Sequence, residues 1–191
     1  MSLPYGLLGL LKYQESTGYD LTKMFEDSLN NFWHAQSSQI YRELNRMEEK
    51  GWVISRNVIQ NNRPNKRVYS ITEEGQQAFK AWLAEFDVIC ENPHDSFLMH
   101  LFFGASNQEM ALERLKDYRD MLIYALENSV KRIQANIDDY KLSITDGERE
   151  SLYWQMTLDF GINRAKADIN WAEDCIAKLE RKQKSENIID V

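Results

Sequence analysis

A cluster of positively charged side chains lies within an otherwise acidic chain. Segment 34–72 carries seven Lys and Arg residues against three Glu, whereas the whole chain of 191 residues has a formal net charge of -7. Lys and Arg neutralise phosphates and release the counterions that surround a nucleic acid. The basic residues are Arg42, Arg46, Lys50, Arg56, Arg63, Lys66 and Arg67. An acidic total charge therefore does not exclude a nucleic-acid partner, because the positive charge is concentrated locally.

The beginning of this segment predicts a helix with one apolar and one polar face. Its apolar residues, which recur at spacings of four and three, are Ile40, Leu44 and Met47. We expect Ser37 or Ser38 to cap the helix and Gly51 to end it. Side chains off the apolar face can hydrogen-bond to the edges of DNA bases. Those assigned to DNA contact are Ser38, Gln39, Tyr41 and Arg42. For Tyr41 the alternative is a core aromatic turned inward.

A β-hairpin is predicted next. Two short runs rich in β-branched and aromatic residues, 52–56 and 67–71, flank a polar segment. Arg63, Lys66 and Arg67 lie near its tip, where cations contact phosphates and add affinity without sequence information. A helix that enters the major groove, followed by a basic hairpin, is typical of a winged helix. The alternative is that these charges form the solvated face of an ordinary α+β domain.

Three more helices are expected in the first half, over residues 5–13, 17–29 and 72–86, each preceded by a capping or helix-starting residue. Pro93 and the polar residues before it interrupt this pattern, and we place the domain boundary there. The predicted fold is α+β and mostly α, with a winged-helix DNA-binding domain over 1–89 and a helical dimerisation domain over 90–191.

The second half predicts a short apolar helix over 95–103 and two long helices, over 106–142 and 145–182. The last helix carries apolar residues in alternating steps of four and three, as in a heptad repeat. This seam consists of Leu158, Ile162, Ala165, Ile169, Ala172, Ile176 and Leu179. Helices of this length need a packing partner, most simply a second copy of the chain, so we predict a homodimer that uses the seam.

Catalytic, metal-binding and membrane-spanning roles have little support. The sequence has no Gly-x-Ser-x-Gly elbow, no Gly-rich phosphate loop and no His-Glu-x-x-His motif, so we expect no enzyme and no cofactor. Cys90 and His94 are four residues apart with Pro93 between them, and His100 would join them only if the loop folded back, so no metal site is predicted. The absence of a long apolar run and the low cysteine usage predict a cytoplasmic protein.

Five segments together resemble the PadR family of bacterial transcription regulators, and they occur in that family's order. These segments are Leu7–Leu11, Gly18–Leu21, Ser38–Leu44, Met47–Val53 and Arg67–Gly75. The helical second half is similar to the larger PadR subfamily, whose C-terminal helical domain is of the virulence-activator type. The resemblance implies a homodimer that binds double-stranded DNA at a palindromic operator, usually as a repressor that a small molecule releases. It places the four polar residues named above on the recognition helix, and the three hairpin cations on the wing.

We expect an effector site at the junction of the two halves, because pockets favour domain interfaces. Its lining is predicted to be largely aromatic. Phe97, His100 and Phe103 on the short helix are the candidates, together with Trp154 if the last helix folds back against them. A core histidine is the alternative for His100. Two other classes of function stay open: a winged helix that docks protein rather than DNA, and, more weakly, an enzyme that modifies a small molecule in an aromatic cavity.

Overall fold

The computed structural model describes residues 2–29, 32–59, 66–85 and 95–189. Several predictions fall outside these ranges: Arg63 as a wing cation, the domain boundary near Pro93, and the absence of a metal site at Cys90 and His94. The chain divides into two compact units, Met1–Ile89 and Cys90–Val191. None of the helices within the described ranges is long and apolar enough to cross a membrane.

The first unit is a winged helix, and the predicted fold class is confirmed. Its elements are α1 (Leu3–Tyr13), β1 (Ser16–Thr17), α2 (Gly18–Ser28), α3 (Ser37–Glu49), β2 (Val53–Val58), β3 (Lys66–Ile71) and α4 (Glu73–Ala84). The strands form an antiparallel sheet in the order β1, β3, β2. The sequence predicted only the β2 and β3 hairpin, because a strand of two residues is too short to show an alternating pattern.

The core of this unit is formed by apolar side chains from α1, α2, α3 and β2. The largest of those that are completely buried are Leu7, Leu8, Leu21, Phe25, Ile40, Leu44, Met47 and Val53. Burying a side chain of this size contributes about 1.5–3 kcal/mol to stability. The apolar face predicted for the third helix is therefore the face that attaches α3 to the rest of the unit.

The start of α4 is joined closely to the base of the hairpin. The Thr72 hydroxyl donates to the Gly51 carbonyl at 2.7 Å and accepts from the Gly75 backbone N–H at 3.0 Å. A Cβ atom on Gly75 would overlap the Trp52 carbonyl, so only glycine fits there. Gly51 has a φ of 71°, in the left-handed region that favours glycine. These contacts fix where the hairpin leaves the helical core.

The second unit contains α5 (Ser96–Phe102), a 3-10 turn (Gly104–Ser106), α6 (Gln108–Ser143) and α7 (Gly147–Ile189). The long helices α6 and α7 pack against each other along their length. One buried cluster joins Ile133 and Ile137 of α6 to Leu158 of α7, with Trp154 and Ile162 packed against it. At the turn between the helices, a Cβ atom on Gly147 would overlap the Lys141 carbonyl.

The heptad seam of α7 already has a packing partner within the same chain. Leu158, Ala172 and Ile176 are buried in the single chain. The other four seam residues, Ile162, Ala165, Ile169 and Leu179, are half-buried. α6 supplies an antiparallel surface of comparable length, so α7 does not require a second chain to cover its seam. Seam periodicity alone is therefore no argument for a dimer.

Candidate nucleic-acid interface

The exposed face of α3 brings together all four polar residues that the sequence assigned to DNA contact. Ser38, Gln39, Tyr41 and Arg42 are exposed and lie in the first two turns of the helix, while the opposite face is completely buried. In helix-turn-helix proteins, residues near the N-terminus of the recognition helix contact base edges. Donors and acceptors on this surface are chemically suited to the same task.

Gln39 has a second role, in capping α3. The structure makes Gln36 the N-cap residue, so the expectation of Ser37 or Ser38 is wrong. The Gln36 backbone N–H donates to the Gln39 Oε1 atom at 2.8 Å. This contact is half of a capping box, in which a Glu or Gln three residues on satisfies the backbone of the N-cap. The side-chain oxygen of Gln39 is occupied by this contact. Its side-chain NH2 group is therefore the part that can donate hydrogen bonds to DNA.

Tyr41 is held against the beginning of α2. Its side chain is 45% exposed, so the alternative of an inward-facing core aromatic is wrong. A Cβ atom on Gly18 would overlap the Tyr41 ring at Cε1. The absence of a side chain at Gly18 therefore lets the ring lie against the first turn of α2. This packing fixes where the phenol is presented.

The cations of the basic cluster differ in how far they are already neutralised. Arg46 pairs with Glu43 at 3.4 Å, Arg56 with Glu15, and Arg67 with Glu48. The exposed cations Arg42 and Lys66 make no ion pair with another residue in the described ranges. The sequence alone does not show which carboxylates these cations meet, because the partners lie far apart along the chain in two of the three pairs.

Arg67 lies toward the tip end of the paired strands and is held there by polar contacts. Its Nε atom donates to Ser55 Oγ at 2.9 Å, and its guanidinium also donates to Glu48. The guanidinium carbon lies 5.2 Å from the centre of the Tyr69 ring, which is buried. Burial raises the pKa of Tyr69, against the lowering effect of Arg67, so the phenol under Arg67 stays neutral at physiological pH.

The aromatic residues proposed for an effector site are only partly brought together. Phe97, His100 and Phe103 line an open groove of about 640 Å³ between α5, the 3-10 turn and the first two turns of α6. Trp154 does not join them, because it packs in the α6 and α7 cluster with Leu158. His100 is exposed rather than a core residue, with Nδ1 2.6 Å from the Ser96 carbonyl oxygen.

The aromatic partners of Phe97 come from the long helices. Phe97 stacks on Tyr118 with ring centres 4.6 Å apart and meets the edge of Trp171 at 6.4 Å. Trp171 is seventeen residues beyond Trp154, about 26 Å along a helix, which explains why Trp154 cannot reach this end. Burial and the nearby Asp168 carboxylate raise the pKa of Tyr118. Helical spacing alone did not identify Tyr118 or the groove residue Arg114.

Two family profiles cover the chain in succession. Residues 7–81 match the profile described as Transcriptional regulator PadR-like family, and residues 93–180 match Virulence activator alpha C-term. The chain is 29% identical to the negative transcriptional regulator PadR of Bacillus subtilis, over 94% of this chain and 98% of that protein. It is 30% identical to the probable transcriptional regulator Rv1176c of Mycobacterium tuberculosis, over 96% of this chain and 100% of that protein.

Solved structures resemble the whole chain as well. Bacillus subtilis PadR in complex with operator DNA matches with a TM-score of 0.76 and 27% identity, covering 94% of this chain and 99% of that one. The Vibrio cholerae virulence activator AphA matches with a TM-score of 0.72 and 27% identity, covering 95% and 99%. Bacillus subtilis PadR in complex with p-coumaric acid matches with a TM-score of 0.70 and 26% identity, covering 94% and 99%. These relatives are transcriptional regulators and not enzymes.

The contact between Gly18 and Tyr41 predicts a non-additive pair of substitutions. Gly18→Ala should lower the free energy of unfolding by about 1–3 kcal/mol, because the new methyl group forces the ring aside. In a Tyr41→Ala background the same change should cost nothing or stabilise, since alanine favours helix more than glycine. Urea unfolding of the four proteins gives the coupling energy. Equal costs of Gly18→Ala in both backgrounds would show that the ring does not depend on this glycine.

Proposed function

This chain belongs to the PadR-like family of transcriptional regulators, and from that premise we propose that it is a homodimeric repressor. It binds a palindromic operator in double-stranded DNA and is released by a small aromatic effector. The repressor role is supported by the similarity over almost the full length to a protein described as a negative regulator. A protein that binds operator DNA must be in the same compartment as that DNA, so we place this protein in the cytoplasm. Nothing in this function requires a cofactor.

The observation that carries DNA binding is the exposed polar face of α3. Arg42 and the amide NH2 of Gln39 supply donors to base edges, with Ser38 and Tyr41 beside them. Lys66 and Arg63 contact phosphates and set the register of the protein on the duplex. With few unpaired cations, the proposed interface neutralises few phosphates. Its affinity is therefore salt-sensitive, but less so than that of strongly basic regulators.

Arg42→Ala and Gln39→Ala together should abolish sequence preference without unfolding the protein. Each lost base contact costs about 1–3 kcal/mol, so discrimination should fall tenfold or more per residue. The measurement is affinity for DNA selected from a random duplex library, compared with unselected DNA. A double variant that keeps the native ratio would show that this face does not select the sequence.

Two controls separate DNA contact from helix capping. Gln39→Glu keeps the side-chain acceptor of the capping box but removes the NH2 donors, so it should lose discrimination with no loss of stability. Arg46→Ala removes a cation one turn further along α3 that is already paired with Glu43. It should leave discrimination unchanged.

The dimer is proposed to use an exposed apolar stripe of α7 rather than the seam. Tyr153, Met156 and Phe160 recur at spacings of three and four, and each is more than half exposed. An apolar surface of this kind favours association with another protein surface. In a palindromic complex, two copies place their recognition helices about 34 Å apart, one turn of DNA. The twofold symmetry of a palindromic site requires a second copy of the chain, and we propose that this copy covers the stripe.

Met156→Glu with Phe160→Glu should therefore produce a folded monomer. Unpaired charge buried in an interface costs several kcal/mol, while in the monomer both positions remain in water. Sedimentation velocity should give half the native mass with unchanged helical circular dichroism, and operator affinity should fall because the half-sites are no longer tethered. Ile162→Glu is the contrasting variant: it packs inside the protomer, so it should lower the melting temperature. A dimer that survives the double change would place the interface on another face.

The effector is proposed to be an aromatic carboxylate bound in the groove of α5 and α6. Its apolar walls suit a ring, and the Arg114 guanidinium, 3.0 Å from Asp117, can exchange that carboxylate for one on the ligand. A structural relative was crystallised with p-coumaric acid, a molecule of this class. Trp171 touches Phe97 on the groove wall and provides a nearby fluorophore.

p-Coumaric acid should quench the fluorescence of Trp171 and release operator DNA from the wild-type protein. Arg114→Ala and His100→Ala should each weaken both effects about tenfold, because they remove the polar groups that hold the acid. Trp154→Phe should change neither midpoint, since Trp154 lies at the far end of the helical hairpin. Equal release from all variants would locate the site elsewhere. Failure of phenolic acids to bind at all would remove the support for this effector class.

A further inference from the structure

A closed hydrogen-bonded triangle joins the recognition helix to both strands of the wing. Glu48 lies in the last turn of α3, Ser55 in β2 and Arg67 in β3. The Ser55 hydroxyl donates to Glu48 Oε1 at 2.6 Å and accepts from Arg67 Nε at 2.9 Å, while an Arg67 terminal nitrogen donates to Glu48 Oε2. Both carboxylate oxygens are thus engaged, each by a different strand.

The sheet register places the triangle on the face toward the core. Ser55 is paired with Tyr69, and Asn57 with Arg67, so all four side chains point to the same side of the sheet. The Arg67 guanidinium also lies over the buried Tyr69 ring. An isolated surface ion pair contributes little. Here, three partners in fixed positions orient one guanidinium, and such charge-assisted contacts hold a defined geometry.

We propose that Glu48 and Arg67 are positioning residues that fix the angle between the recognition helix and the wing, and that Arg67 is not itself a phosphate contact. The inference rests on the proposed function, and it changes the role that the sequence suggested for Arg67. Glu48 neutralises the cation nearest the helix, so the wing does not bind every duplex strongly. The same contact also fixes the position of the wing. In that position the wing reaches the DNA backbone only if α3 lies in the major groove.

Removal of Glu48 therefore has two consequences that a merely structural residue would not produce together. The released Arg67 becomes able to contact a phosphate, which should tighten binding to unselected DNA. It should also steepen the slope of log affinity against log salt by about 0.9, the value for one added contact. The wing no longer has a fixed angle, so the preference for selected over unselected DNA should fall about tenfold.

A carboxylate on the opposite face of the sheet, which also accepts from an Arg and a Ser on the two strands, is a matched control. Arg56 in β2 donates to Glu15, and the Ser70 hydroxyl in β3 donates to the other oxygen of Glu15 at 3.2 Å. Glu15 precedes β1 and does not belong to α3. Glu15→Gln therefore removes the same charge and releases the same kind of cation without touching the joint between helix and wing.

The experiment is a salt titration of the full-length wild type, Glu48→Gln, Arg67→Ala, the double variant and Glu15→Gln, each with library-selected and unselected duplexes. Circular dichroism melts confirm that each variant is folded. We expect the steeper slope and lost preference for Glu48→Gln. Arg67→Ala should lose preference at the wild-type slope. The double variant should match Arg67→Ala, because the extra contact needs Arg67. Glu15→Gln should match the wild type.

Three results would overturn the inference. The first is a slope for Arg67→Ala that is shallower by about 0.9, which would make Arg67 a phosphate contact. The second is a wild-type preference and slope in Glu48→Gln. The third is a change in slope and preference for Glu15→Gln as large as that for Glu48→Gln. It would mean that the loss of any carboxylate near the wing has this effect. In all three the wild type still selects DNA, so the proposed function stands. A wild-type protein that selects no sequence would refute that function, and the role of this pair with it.

Discussion

Three side chains on one face of α3 are completely buried, and their burial determines what the rest of the first unit can present to a partner. Turning the helix by one residue, about 100°, would expose part of this face and push Arg42 toward the core. Burial of Ile40, Leu44 and Met47 contributes about 1.5–3 kcal/mol for each side chain, whereas a surface ion pair contributes about 0–1 kcal/mol. The apolar face therefore decides the rotation of the helix, and the polar face follows from it.

The wing is held at two places relative to that helix. At its base, Thr72 connects the Gly51 carbonyl to the start of α4, and the missing side chain of Gly75 lets the backbones approach. Further along, Glu48 and Arg67 join the end of α3 to β3. In the proposed function these attachments combine a helix that selects sequence with a hairpin that adds affinity. Half of the six described cations in segment 34–72 are already paired with carboxylates, so in the proposed function specificity depends on geometry more than on total charge.

The features that the sequence predicted correctly depend on local periodicity. The apolar face of α3, the β2 and β3 hairpin, and the helical second half each follow from residues within a few positions of one another. The features it missed depend on distant partners or unusual residue choices. Glu48 meets Arg67 nineteen positions away, Gln36 caps a helix in place of a serine, and α6 covers the seam of α7. Trp154 was placed near Phe97 because periodicity does not say which end of a long helix a neighbour meets.

In the proposed function, two copies of α3 enter successive major grooves on one side of the operator. Hydroxyl-radical footprinting of the wild-type protein, on a sequence it selects from a random duplex library, tests this most directly. We expect two protected patches related by a dyad, with centres about 34 Å apart, and weaker flanking protection where the wings meet the backbone. A single protected patch, or uniform protection along the duplex, would contradict it.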